Sequence, residues 1–300
     1  MHYINSMFKF NNLEYNPSKI IGIQFGLLSP DDIRNTSVAE ITTRDTYDNN
    51  KPKIGGLFDP RMGVLEPGFI CPTDGLDYVN TPGYFGHIEL AKPVFYVQYL
   101  NTVMKILKCV CFKCSKLKVN KEKYKKALNM PSEERWNYVF QLSNKVNRCG
   151  NDTHDGCGCK QPSKIRKELG KVATLWAEWD NLNPAEEKVS IKLHPEMVLK
   201  IFKRISNDDI TFMGFSPHWS RPDWMICQVL AVPPPAVRPS VKHDAQQRSE
   251  DDITHILCNI IKTNNTLKDK LSQKTQTGQE NIIEDWTTVL QYYVATLVDN

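Results

Sequence analysis

No apolar run in this chain approaches the ~18 residues needed to span a bilayer, so no membrane role is expected. The opening Met1–Asn12 mixes Asn, Lys and His and lacks the apolar core of a secretory signal. Glycine (15) and proline (18) are too sparse among 300 residues for a disordered chain, and no repeat or low-complexity tract occurs. Absent too are a Walker A loop, a Gly-x-Ser-x-Gly elbow, a His-Glu-x-x-His helix and a Cys–His dyad. These gaps argue against the corresponding NTPase, hydrolase and open-site zinc chemistries. Adjacent acids do occur at Asp31-Asp32, Asp208-Asp209 and Asp251-Asp252. Each pair opens a predicted helix, where the helix dipole accounts for it without catalysis.

What is present is enough for a real core: 40% hydrophobic residues over a length suited to one large or two medium units. The most informative residues are cysteines. Six of nine fall into two tight groups, Cys109, Cys111 and Cys114, then Cys149, Cys157 and Cys159. Cys111-x-x-Cys114 lets two sulfurs from one turn reach a single ion, and the second group closes a tetrahedral site from a distance. Zinc is the expected metal, with buried or redox-active thiols as the alternative. With no signal sequence, a reducing intracellular compartment is expected, where clustered cysteines favour metal over disulfide. Cys71, Cys227 and Cys258 stand alone and read as small core residues. Charge is unevenly spread: nine lysines face one acid, Glu122, between Lys105 and Lys126, although the net charge is only +4. The run is either a solvated face or a contact for nucleic-acid phosphates.

Along the chain, an apolar stretch Ile20–Leu28 precedes a helix start at Ser29-Pro30-Asp31-Asp32, with Ser29 as N-cap and Pro30 at the first helical position. Residues 55–86 are rich in turns. Ala91–Leu107 is predicted helical, as is part of Lys121–Val146. Glu187–Val198 and Asp208–Phe215 read as strand-like, then helical, pieces. The Pro-rich Ala231–Pro239 is expected in polyproline II, not helix. Beyond it, Ile253, Ile256, Leu257, Ile260, Ile261 and Leu267 repeat at helical spacing, as do Ile282, Ile283, Trp286, Val289, Leu290, Tyr293, Val294 and Leu297. A short polar link, Ser272–Gln279, makes these an antiparallel helical hairpin, either packed into a core or projecting as an arm.

Seven stretches in order resemble the N-terminal clamp region of the largest subunit of eukaryotic-type DNA-directed RNA polymerase, closest to polymerase II and the versions of large DNA viruses. They are Phe25–Pro30, Gly55–Gly63, Pro82–Phe95, Ser220–Met225, Val232–Ser240, Ser249–Ile253 and Val294–Asn300. The resemblance implies an irregular, helix-rich α+β clamp divided as 1–18 extension, 19–108 first clamp-core part, 109–160 zinc region, 161–240 clamp head and connector, and 241–300 clamp helices. It maps one structural Zn²⁺ site onto Cys111, Cys114, Cys149 and Cys157, with Cys159 as substitute ligand, in a Gly156-Cys-Gly-Cys-Lys-Gln-Pro162 segment similar to the family's Gly-Cys-Gly-x-x-Gln-Pro. A second family zinc site falls on Cys71, Asp74, Thr81 and Tyr84, where one thiol of four remains. That site is predicted empty, its loop held by the Pro82-Gly83 turn and packing of Tyr84 and Phe85, with His87 a hydrogen-bonding residue and not a ligand.

The resemblance also implies partners: other polymerase subunits, especially the second-largest, template DNA and the RNA–DNA hybrid, and initiation or elongation factors on the helical tip near Lys268–Gln279. Lys160, Lys164, Arg166 and Lys167 are the candidate phosphate contacts. The family's two-magnesium chemistry needs an Asp-x-Asp-x-Asp loop, and that spacing is nowhere in this chain. Mg²⁺ is therefore expected only in the full polymerase, and this segment, a fragment or one piece of a split subunit, is expected to be inert alone. The expected location is the nucleus, or host cytoplasm or virion if the source is viral. The competing reading is a stand-alone zinc-binding module that docks transcription factors without polymerase activity.

Overall fold

A computed structural model describes residues 20–48, 51–168, 172–180, 188–243, 248–273 and 280–299. Its first helix, α1 (Pro30–Thr36), starts where predicted. Ser29 Oγ accepts from Asp32 N at 3.0 Å while Asp32 Oδ2 accepts from Ser29 N at 3.1 Å, a reciprocal capping box. Upstream, Ile20, Ile21, Ile23 and Phe25 are exposed, and the stretch is tied back through Leu27 N to Trp219 O at 2.7 Å.

Residues 91–99 depart from the expected helix. Gly86–Phe95 is a strand, β1, and the helix begins only at α2 (Leu100–Cys109). Pairing of Val94 and Phe95 with Cys227 and Ile226, remote in sequence, explains the difference. Beyond α2 come α3 (Ser132–Asn144), β2 (Lys164–Lys167), β3 (Leu175–Trp179), β4 (Val189–Leu193), α4 (Pro195–Lys203), α5 (Asn207–Phe212) and β5 (Ile226–Val232). Two long helices follow, α6 (Asp252–Ser272) and α7 (Glu280–Val298). Strands β2, β3 and β4 form one antiparallel sheet in that order, and β1 pairs antiparallel with β5. The mixed architecture is α+β, as expected.

Two buried clusters organise these elements. The first gathers α2, the three-stranded sheet, α4 and α5 around Val103, Ile106, Leu107, Leu175, Leu193 and Phe202. The second gathers β1, β5, α6 and α7 around Ile88, Leu230, Leu257, Ile260, Leu290 and Val294. The β1–β5 pair touches both, because its Phe95–Ile226 end belongs to the first cluster. Buried positions on α6 run from Thr254 to Leu267 and on α7 from Ile283 to Ala295, so much of the helical pair is packed on this core. The predicted tip residues 274–279 lie outside the described residues.

The Pro-rich connector also differs in part. Pro234 is extended, but Pro235–Val237 makes one 3-10 turn, which proline's fixed φ suits at a first position. Arg238, fully buried, ends it by donating to Pro233 O at 3.0 Å, to Thr254 Oγ1 at 3.4 Å and to Leu57 O, beneath the Phe58 ring. Burial pushes this guanidinium down to about 10.

Pairing between β1 and β5 breaks between Glu89 and Val94, stranding backbone groups around Pro93. Two buried amides from the helices serve this region. Asn264 accepts from Ala91 N at 2.7 Å and donates to Glu89 O at 2.8 Å. Gln291 accepts from Phe95 N at 2.6 Å and donates to Phe95 O at 2.9 Å. Replacing Gln291 with Leu leaves both Phe95 groups buried without these partners, at about 1–3 kcal/mol per group. Urea denaturation of Gln291→Leu is expected to show a loss of about 2–6 kcal/mol.

Candidate metal centre

Helix α2 delivers the chain to the first cysteines, and a tight turn brings two of them together. Cys111 N donates to Lys116 O and Ser115 N to Cys111 O, each at 2.9 Å. The turn closes through buried Ser115 in the left-handed region at φ 61. A second turn forms around Cys149, whose N donates to Cys159 O at 3.0 Å and whose O accepts from Gly158 N at 3.1 Å. Gly150 and Gly156 press backbone to backbone here: a Cβ on Gly156 would lie 2.2 Å from Gly150 Cα.

The two turns bring four sulfurs together. Those of Cys111, Cys114, Cys149 and Cys157 all lie within 4.8 Å of one another. Cys111 Sγ is 3.5 Å from Cys157 Sγ, and Cys114 Sγ is 3.7 Å from Cys149 Sγ. A tetrahedral ion with metal–sulfur bonds of about 2.3 Å places its sulfurs roughly 3.8 Å apart, so this donor set fits such an ion. Cys159, the substitute ligand, is outside the group and turns its Sγ toward Lys160 O at 3.5 Å. Cys109 is buried elsewhere, and burial pushes its thiol up to about 12.

Electrostatics argue in the same direction. Burial, with neighbouring sulfurs adding to it, pushes Cys149 up to about 12, and burial raises Cys114. Cys157, exposed and facing the Cys159 backbone N–H, is held down at about 7. Four thiolates this close repel one another, and a dication reverses that balance by deprotonating all four.

Two further side chains crowd this centre. Gln161 Nε2 lies 3.2 Å from Cys111 Sγ, and Lys118 is buried with its Nζ 2.9 Å from Val146 O. Much of the lysine run is spent internally. Lys116, Lys121 and Lys123 pair with Asp155, Asp209 and Asp152 at 2.7, 2.6 and 2.9 Å. Of the candidate phosphate contacts, Lys164 and Lys167 are exposed on β2, while Lys160 donates to Asp180 O. Arg166 pairs with Glu178 and lies over the Trp176 ring.

The second group of positions forms a hydrogen-bonded hub. Asp74 Oδ2 accepts from Thr81 Oγ1 at 2.8 Å and Tyr84 OH at 3.0 Å, and Oδ1 accepts from Leu76 N at 2.9 Å. Cys71 is buried beside it. Gly83 takes a positive φ, as the expected Pro82-Gly83 turn requires, but Phe85 is 51% exposed and does not pack as expected. The reason is that Tyr84 holds this loop through its hydroxyl. His87 Nδ1 lies 2.7 Å from Ser37 Oγ, a hydrogen-bonding role.

Sequence reading missed Asn264, Gln291, Arg238, Lys118 and the Asp74 hub. An amide on the buried face of a helix, such as Asn264 three residues after Ile261, was the available signal.

A split four-cysteine centre in a large α+β unit has the donor set of a closed, structural metal site. Residues 17–300 match the family described as RNA polymerase Rpb1, domain 1, and the chain belongs to that family. It is the N-terminal part of the largest, catalytic subunit of DNA-directed RNA polymerase. The stand-alone docking module is not favoured by this match.

Burial pushes the Asp74 carboxyl up, but the hydrogen bonds from Leu76, Thr81 and Tyr84 outweigh that and hold it below the usual carboxylate range. Its contribution is therefore complete above about pH 4 and fades as pH falls through the lowered value. Asp74→Ala is expected to speed amide exchange at Leu76 about tenfold at neutral pH. No change would show that the hub does not hold the loop.

Proposed function

We propose that this chain forms the DNA-enclosing clamp of its polymerase, stapled by one zinc ion on Cys111, Cys114, Cys149 and Cys157. The observation that carries this reading is the convergence of those four sulfurs within 4.8 Å, two from each side of an inserted helix. When bound, zinc supplies structural cross-linking alone, because four protein ligands leave no open position for substrate. Such a site contributes ~10 kcal/mol or more to folding. The division at residues 18, 108, 160 and 240 serves as the working domain map.

In this reading α6 and α7 are the clamp helices, and initiation or elongation factors dock near their tip, around Lys268–Gln279. Lys164 and Lys167, with Lys160 beside them, face phosphates of template DNA or the RNA–DNA hybrid. Arg166 contributes less directly, since Glu178 already holds it. The second-largest subunit is the main assembly partner, and Mg²⁺ belongs to the complete polymerase. The site of transcription is the nucleus, or host cytoplasm or virion if the source is viral; no helix of the described residues is long and apolar enough to cross a membrane.

Metal analysis of the purified chain is expected to give one zinc per chain. Two per chain would restore a metal to the Asp74 hub, and none would remove the staple. Duplex DNA affinity is expected to fall steeply with salt, and Lys164→Ala with Lys167→Ala to reduce the log–log slope by about 2. A salt-insensitive interaction would overturn the phosphate assignment.

A further inference from the structure

We propose that Gln161 and Lys118 determine how tightly the four-cysteine centre keeps its metal, Gln161 as a latch across the two turns and Lys118 as its buried counter-charge. This rests on the zinc reading above and adds roles for two residues outside the ligand set.

Gln161 is buried, and every polar atom of its amide is used. Its Oε1 accepts from Phe112 N at 3.0 Å, within the first turn. Its Nε2 donates to Cys159 O at 3.0 Å, within the second, and to Cys111 Sγ at 3.2 Å. Its own backbone N donates to Asn147 O at 2.8 Å, just before Cys149. One side chain thus fastens the two halves of a site whose ligands are far apart in sequence. The same N–H lowers the charge density on one sulfur, which steadies a thiolate ligand.

A dication with four thiolates carries a net charge of −2, and burying that charge without compensation is costly. Lys118 is buried, and burial pushes its ammonium down to about 8, an effect that the nearby Cys109 and Cys111 sulfurs oppose. Its backbone N donates to Cys109 O at 3.0 Å, and its Nζ reaches Val146 O at 2.9 Å, in the segment leading to Cys149. The ammonium therefore sits where the first turn meets the approach to the second. Outer-shell partners of this kind typically change metal affinity 10–100-fold.

The test uses the full chain loaded with zinc or cobalt(II), comparing wild type with Gln161→Glu, Gln161→Met and Lys118→Met. Gln161→Glu keeps the side chain's shape but replaces the donor to sulfur with an acceptor. Each variant is expected to release zinc to a competing chelator 10–100-fold faster while its cobalt bands remain tetrahedral. The Gln161 variants are also expected to shift the thiolate-to-cobalt charge-transfer band to lower energy, which a general loss of stability would not do. Release rates within twofold of wild type in all three variants would overturn the proposal. A wild-type chain without thiolate-to-cobalt bands would instead overturn the zinc reading beneath it.

Discussion

A strand that cannot complete its own hydrogen bonding governs this fold. Around Pro93, β1 loses register with β5, and backbone groups buried in the interior must find partners elsewhere. Asn264 and Gln291 supply them, one from each long helix. The helical pair is therefore positioned by directional bonds, whereas apolar contacts alone would let it slide. Since β1 belongs to both buried clusters, fixing the helices to it also relates them to the half of the molecule that carries the four cysteines.

A second constraint acts at the cysteine centre. Its four sulfurs come from turns separated by a helix, so closing them together encloses a long loop, and cross-links across long loops remove much entropy from the unfolded chain. Local ties shorten that task. The Lys116–Asp155 and Lys123–Asp152 pairs hold the second turn against the first, which gives much of the lysine run a use inside the protein. Exposed ion pairs of this sort contribute little singly, and their value is geometric.

Much of this was legible in the sequence. The Ser29 cap and the two amphipathic helices are local or periodic signals that appear as read, and the sulfurs of the four cysteines converge. Which of Cys157 and Cys159 joins the other three sulfurs was not legible, because only folded geometry brings the first into the group and leaves the second against Lys160 O. Ala91–Phe95 was misread as helix because its apolar residues suit either period, and pairing with Ile226–Val232, remote in sequence, decided the outcome. The roles of Asn264, Gln291 and Arg238 depend on which distant carbonyl or amide they meet, which no window of sequence displays.

The contact between Gly150 and Gly156 has a consequence for how this region can vary. With their backbones touching, the two glycines close off residues 151–155 as a bight whose neck admits no side chain. Extra residues added inside that bight would swell it toward solvent without parting the strands at its neck. A single methyl group at Gly156 would wedge the neck itself and drag Cys157 away from the other three sulfurs. Length can drift here, while composition at the neck cannot.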